Sequence, residues 1–173
     1  MEPEQTGHEK GWPSFHIEKA EVDAGEEAFR LLANALPEIV WTSQPDGRVD
    51  YYNQLFYDLT GYTRENFRFR YWGQILHPDD QARTLEVWAH AFSTGTPYEI
   101  EYRVWDSKAQ YYHWFLVRAT PLTDASGRIV KWFGTGTDID QRKQAEVKLL
   151  FHASLARSIL DAVVVTDPAS IIL

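Results

Sequence analysis

The chain has 173 residues, and its 25 acidic and 17 basic side chains give a formal net charge of −8. This length fits one domain with a tail or with part of a second domain, and excludes two large complete domains. With 44% apolar and 24% charged residues the chain can bury a core. No cysteine is present, which excludes disulfides, thiolate zinc sites, iron–sulfur clusters and cysteine nucleophiles.

The charge and the apolar pattern also limit the partners and the location. The acidic excess argues against binding to nucleic-acid phosphates, because there is no surplus of basic side chains to displace counterions. No apolar run approaches the roughly 20 residues that a membrane span needs. The N-terminal residues lack the basic start and apolar middle of a secretory signal. We therefore expect a cytoplasmic location, no membrane span in this chain and no nucleic-acid partner.

The N-terminal part predicts an arm, a helix and a β-hairpin. Residues 1–23 are polar and lack periodic apolar side chains, so we expect a flexible arm. Residues 24–36 carry apolar side chains at helical spacing, and Pro37 ends this helix because proline lacks an amide hydrogen. Two strand-like runs, 39–43 and 49–53, flank a Pro-Asp-Gly turn, which is typical of a hairpin.

The middle of the chain predicts two helices followed by strands. Residues 53–62 show helical spacing and stop at Gly61. A second helix begins at Pro78, with acidic residues in its first turn, and ends at the Ser-Thr-Gly-Thr-Pro segment 93–97. Three strand candidates joined by short turns follow, which predicts antiparallel pairing. They are 98–105, 111–120 and 129–139.

The pattern changes again after Asp138. Residues 140–158 are predicted as a linker helix, because positions 139, 142, 146, 149, 153, 156 and 160 follow the heptad spacing of a coiled coil. Arg142 and Glu146 interrupt the apolar seam. Residues 159–172 repeat the pattern of residues 36–49, so we interpret 159–173 as the truncated start of a second, similar domain.

Several segments, in this order, resemble a PAS sensor domain of the aromatic-rich type found in bacterial signalling proteins. They are PDGRVDYYN, LTGY, HPDD, EIEYRVWD, WFLVRATPL and GTDIDQRKQAE. The resemblance covers residues 26–146 and assigns 24–139 to a PAS domain with an N-terminal flanking helix. It implies an α+β fold, in which a five-stranded antiparallel sheet of order 2-1-5-4-3 carries short helices on one face and flanking helices at both ends.

The resemblance also implies a function. PAS domains are usually sensory or dimerisation modules and seldom enzymes. We therefore expect a module of a multidomain signal-transduction protein, foremost a sensor histidine kinase of a two-component system. It would form a homodimer through its flanking helices and relay a signal through the C-terminal linker helix. The alternatives are a ligand-free structural dimerisation module, and the PAS module of a diguanylate cyclase or phosphodiesterase.

The segment GTDIDQRKQAE resembles the family's junction between the last strand and the output helix. Asp138 corresponds to the acidic residue that pins the helix to the sheet, and Thr137 and Ile139 flank it. In the family this carboxylate often pairs with a basic residue of the sheet, for which Arg103 and Arg118 are the candidates here. An ordinary helix cap needs the same short acceptor side chain, so both a cap and a signalling switch remain open.

Seven aromatic residues are candidates for the interior of the domain. Such bulky side chains either line a pocket for a small planar ligand or fill it, leaving a domain that only dimerises. Which face of a strand each one takes is not fixed by the sequence. The candidates are Trp41, Tyr52, Phe56, Trp88, Tyr102, Trp114 and Trp132.

Other chemistry finds little support in the sequence. The six histidines lack the spacing of a metal site. His77 precedes Asp79 and Asp80 but has the pattern of a helix start, so no catalytic residue is assigned. Haem bound through His90 or His113 is disfavoured, and a flavin photoreceptor that forms a cysteinyl adduct is excluded because the chain has no cysteine. The cofactor is left unknown.

Overall fold

The computed structural model describes residues 19–67 and 69–161. Within them lie four α-helices, one 3₁₀ helix and five strands. In chain order they are α1 (Lys19–Ala35), β1 (Ile39–Ser43), β2 (Val49–Tyr52), α2 (Gln54–Thr60), the 3₁₀ helix (Phe69–Ile75), α3 (Pro78–Thr94), β3 (Tyr98–Asp106), β4 (Tyr111–Thr123), β5 (Ile129–Asp138) and α4 (Asp140–Asp161).

The five strands form one antiparallel sheet in the order β2-β1-β5-β4-β3, which confirms the topology that the sequence resemblance implied. The last strand therefore lies in the centre, between the first strand and β4. The register aligns Trp41 with Gly134, Gly134 with Ala119, and Ala119 with Tyr98. Because side chains alternate across a strand, these residues share one face of the sheet, which we call the inner face.

The inner face is covered by α2, the 3₁₀ helix and α3. Trp88 of α3 packs edge-on against Trp41, and Phe56 of α2 stacks on Tyr52. The core cluster of buried side chains lies between these helices and the sheet. The largest fully buried side chains are Trp132, Phe56, Leu76 and Val40.

Glycine in β5 allows the tryptophan of the neighbouring strand to lie flat on the sheet. A Cβ atom placed on Gly134 would lie 2.2 Å from the ring of Trp41, far inside contact distance. On Gly136, two residues further along, the nearest atom to such a Cβ would be Ile39 Cβ at 3.4 Å. The absence of a side chain at Gly134, in the Gly-Thr-Gly-Thr segment, is therefore needed for Trp41 to pack on the inner face.

Helix α1 packs on the opposite, outer face. The ring of Phe29 lies 5.1 Å from Tyr51 and 6.5 Å from Phe133. The buried side chain of Asn53 fixes the end of the helix, since its amide donates to the carbonyls of Ala33 and Glu38, both at 2.8 Å. These two bonds tie the C-terminal end of α1 and the loop before β1 to Asn53, the residue that follows β2.

The element boundaries differ from the sequence expectations in several places. Helix α1 begins at Lys19 rather than at residue 24, because Lys, Ala and Glu are good helix formers that extend it. The 3₁₀ helix has no periodic signal and was not expected. Residues 159–161 continue α4, and the remainder of the proposed second domain, like residues 1–18 of the arm, lies outside the described residues. No helix in the described ranges is long and apolar enough to cross a membrane.

Candidate functional site

An aromatic cavity lies between the inner face and the helices that cover it. Its volume is about 50 Å³. The walls come from β1, β2, α2, the 3₁₀ helix, α3 and the three remaining strands. Five of the seven aromatic candidates from the sequence line it, namely Trp41, Tyr52, Phe56, Trp88 and Tyr102.

The other two candidates lie elsewhere. Trp132 is on the inner face and fully buried, but it packs beyond the cavity, 5.3 Å from Trp88 and 6.4 Å from Phe92. Trp114 is on the outer face, between the guanidinium of Arg103 and the ammonium of Lys143, each 5.2 Å from its ring. Successive side chains of a strand point to opposite faces of the sheet. The sequence alone did not show which face each tryptophan occupies.

The cavity is small and apolar. One water molecule needs about 10–15 Å³ on this measure, whereas pockets for drug-sized ligands span roughly 300–1,000 Å³. Burial raises the pKa values of Tyr98 and Tyr102, so both hydroxyls are neutral at physiological pH. In this conformation the aromatic side chains fill most of the interior, and a larger ligand requires them to move.

A second feature is the junction at which β5 ends and α4 begins. Asp138 Oδ1 accepts a hydrogen bond of 2.8 Å from the amide of Asp140, in the first turn of α4. Thr137 donates to Glu38 at 2.7 Å, and the amide of Ile139 donates to the carbonyl of Trp114 at 2.8 Å. The three residues named from the sequence thus fasten the start of the helix to β4 and to the loop before β1.

The side chain that contacts Asp138 is His113, whose Nδ1 lies 3.2 Å from Asp138 Oδ2. The two arginines considered as partners bind other carboxylates: Arg118 pairs with Glu99 at 2.7 Å, and Arg103 pairs with Asp80 at 2.9 Å. Alternation along β4 could be read from the sequence, but the register between β4 and β5 could not. Alternation places His113 on the same face as Phe115, and Phe115 is the register partner of Asp138.

An ion-pair clamp holds the first turns of α4 on the sheet. Glu101 of β3 contacts Lys143 Nζ at 2.6 Å and also binds Arg142. The hydrogen bond from Lys143, reinforced by that from Arg142, holds the pKa of Glu101 below its usual value. Glu146 lies 3.7 Å from both Arg142 and Lys143, so the two residues that interrupt the heptad seam, Arg142 and Glu146, belong to one charged cluster at the sheet.

The start of α3 is anchored in a similar way. The carboxylate of Asp80 accepts hydrogen bonds from Arg103 Nε at 2.9 Å and from its Nη2 at 3.0 Å. Burial by itself would raise the pKa of Asp80, but these hydrogen bonds outweigh it and hold that pKa below its usual value. His77 caps the helix by accepting from the amide of Asp79 at 3.3 Å. Among the described residues no three metal-ligating side chains converge.

Comparisons with known proteins agree with this architecture. The family model of the PAS fold matches residues 49–136. The chain is 30% identical over 143 residues to the uncharacterised protein y4lL of Sinorhizobium fredii, covering 83% of this chain and 17% of that protein. It is 28% identical over 131 residues to the peroxide stress-activated histidine kinase mak1 of Schizosaccharomyces pombe, covering 73% of this chain and 8% of that kinase.

A solved structure shows the same fold. The sensory box histidine kinase/response regulator from Burkholderia thailandensis superposes with a TM-score of 0.58 at 23% identity, covering 75% of this chain and 98% of that structure. The chain spans less than a fifth of the two curated relatives above. With the strand order, the aromatic core and the family match together, this chain belongs to the PAS fold family.

Proposed function

We propose that this chain is the cytoplasmic sensory and dimerisation module of a longer signal-transduction protein, foremost a sensor histidine kinase of a two-component system. The similarity to a peroxide stress-activated histidine kinase supports this class of output. The chain itself contributes signal reception and assembly, and the output reaction belongs to another part of the longer protein.

The observation that carries the proposal is the path from the cavity to α4. Strand β5 lies in the centre of the sheet, next to β1 and β4, and both neighbours contribute residues to the cavity wall. The same strand ends at Asp138, which caps α4. A change in the packing of the cavity therefore has a direct mechanical route to the start of the linker helix.

The partner for α4 is a second copy of this chain. Beyond its first turns the helix presents large apolar side chains to solvent, with Leu149 71% exposed, Leu150 72% and Phe151 60%. Leu149 belongs to the heptad positions predicted from the sequence, and a parallel two-helix coiled coil buries such positions. Helix α1 adds two further exposed apolar residues, Leu31 and Leu32.

A ligand-free structural module is the second candidate. The small volume of the cavity favours it, because a domain whose aromatic side chains already fill the interior needs no ligand to be stable. A third form of the proposal places the same module before a diguanylate cyclase or phosphodiesterase, in which case α4 drives a different catalytic domain.

Native mass spectrometry of the full chain, compared with its denatured mass, tests the proposal. We expect a dimer, and Leu149→Asp should shift it to monomer while Lys148→Gln, its exposed neighbour, leaves it dimeric. An additional mass that disappears on denaturation would support the ligand sensor, and a dimer without one would favour the structural module. A monomer at every concentration would contradict both.

A further inference from the structure

A cluster of acidic side chains surrounds one histidine beside the junction. His113 of β4 lies between Asp106 of β3, whose Oδ2 is 3.4 Å from Nε2, and Asp138 of β5, whose Oδ2 is 3.2 Å from Nδ1. The side chains of His113 and Asp106 are 15% and 14% exposed, and that of Asp138 is 47% exposed. The ring is thus largely enclosed, with a route to solvent on the Asp138 side.

The geometry suits an imidazole that carries two protons. A neutral ring has one N–H donor and one lone pair, so it can donate to one carboxylate and must point its lone pair at the other. A protonated ring carries an N–H at each nitrogen and a positive charge that attracts both carboxylates. Nε2 is buried and makes no well-aligned hydrogen bond, so the contact with Asp106 is an ion-pair contact that depends on charge.

In the part of the chain that the structure describes, the side chains that contact the His113 ring are acidic or neutral. Tyr111 stacks on the imidazole at 4.2 Å, and its pKa is raised by burial and by the charges of Asp140, Asp138 and Asp106. These three carboxylates come from α4, β5 and β3. Among the described residues, His113 is the group that forms ion pairs with Asp106 and Asp138, and no lysine or arginine does so.

We propose that His113, Asp106 and Asp138 form a proton-binding site that controls how firmly α4 is held on the sheet. Binding one proton from solvent turns the neutral ring into an imidazolium, which ties β3 and β5 to β4 at the base of the helix. Asp138 then keeps its second oxygen on the amide of Asp140. Loss of the proton leaves two carboxylates facing one donor, and the cap loosens.

This site is separate from the aromatic cavity, since none of its residues lines that cavity. The inference therefore goes beyond the proposed function and does not depend on any ligand or dimer. Histidine is the side chain whose charge ordinarily changes between pH 5 and 8. On this proposal, α4 is held most firmly at low pH, and the hold weakens as pH rises through this range.

The test follows two signals of the full chain between pH 5.5 and 8.5 by NMR. One is the ¹³C–¹H resonance of the His113 ring, which reports its protonation. The other is the exchange protection of the Asp140 amide, corrected for the intrinsic pH dependence of exchange. We expect protection to fall roughly tenfold between pH 6 and pH 8, the size of one charge-assisted hydrogen bond.

The His113→Gln variant should abolish this fall, and His90→Gln, an exposed histidine on α3, should retain it. If His113→Gln does not fold, Asp106→Asn replaces it, since the amide has the same shape without the charge, and the fall should shrink at least about threefold. Equal protection at both pH values, or the same pH dependence in the variant as in the unchanged chain, would overturn the proposal.

Discussion

The inner face of the sheet and the junction at α4 are built from different interactions. The inner face consists of interlocked aromatic rings, such as Tyr52 stacked on Phe56 at 3.7 Å, and it contains little free space. The junction consists of hydrogen bonds and ion pairs at the surface, such as Glu101 with Lys143. Surface ion pairs are individually weak, whereas a packed core resists any change of volume. The inner face therefore defines the fold, and the junction can rearrange at low cost.

The largest effect is expected on the inner face. Gly134→Ala should lower the free energy of unfolding by about 3 kcal/mol, because the new Cβ would meet the ring of Trp41 at 2.2 Å. The control is Gly136→Ala on the same strand, where the nearest atom is 3.4 Å away and the loss should be below about 1 kcal/mol. Urea unfolding of both variants measures the difference, and equal losses would contradict this account of the inner face.

An effect of similar size is expected at the start of α3. The ion pair of Asp80 with Arg103 is charged, like the junction, but its carboxylate is buried, like the inner face. Asp80→Asn should cost about 3 kcal/mol at pH 7, because Arg103 keeps its charge, loses the buried carboxylate and retains only the exposed Asp79 at 3.6 Å. The control, Glu99→Gln, breaks the exposed pair with Arg118 and should cost at most about 0.5 kcal/mol.

The same pair predicts a pH dependence. The pKa of Asp80 is lowered in the folded chain, so its stabilising contribution is complete above the pKa of the unfolded carboxyl and is lost as pH falls below about 4. The stability difference between the unchanged chain and Asp80→Asn should therefore shrink between pH 5 and pH 3. A difference that stays constant over this range would show that the ion pair is not its source.

A smaller effect is expected at the junction. Glu101→Gln removes the charge that binds both Lys143 and Arg142, and we expect the exchange protection of the Lys143 amide to fall about fivefold, or roughly 1 kcal/mol. Glu86→Gln, an exposed position on α3, serves as the control. If both variants gave the same protection as the unchanged chain, the clamp would contribute nothing to holding α4.

Much of the fold could be predicted from the sequence, because it depends on the order of motifs and on turn residues. The hairpin at residues 39–52 follows from its turn residues, and the strand order is what the PAS resemblance implied. The 3₁₀ helix was missed because short 3₁₀ segments lack a periodic apolar pattern. Its side chains nevertheless complete the cavity wall through Trp72 and Ile75.

The candidate site was harder to predict from the sequence than the fold, because it depends on strand register and on long-range pairing. Trp114 and Trp132 are large and aromatic, like the residues that line the cavity. Strand register and alternation nevertheless place Trp114 on the outer face and Trp132 beyond the cavity. Arg103 meets Asp80, a partner 23 positions away on α3, and only the folded geometry shows this. The role of Asp138 as a signalling switch stays a prediction.

Native-state hydrogen exchange at increasing urea concentration tests most directly whether the junction can open while the inner face stays packed. We expect the amides of Asp140 and Lys143 to exchange through a local opening that is at least about 2 kcal/mol cheaper than global unfolding and nearly independent of urea. The amides of Val40 and Trp41 should exchange only through global unfolding, with the full urea dependence. Equal free energies and equal urea dependence for both pairs would contradict the account, because the junction and the core would then open as one unit.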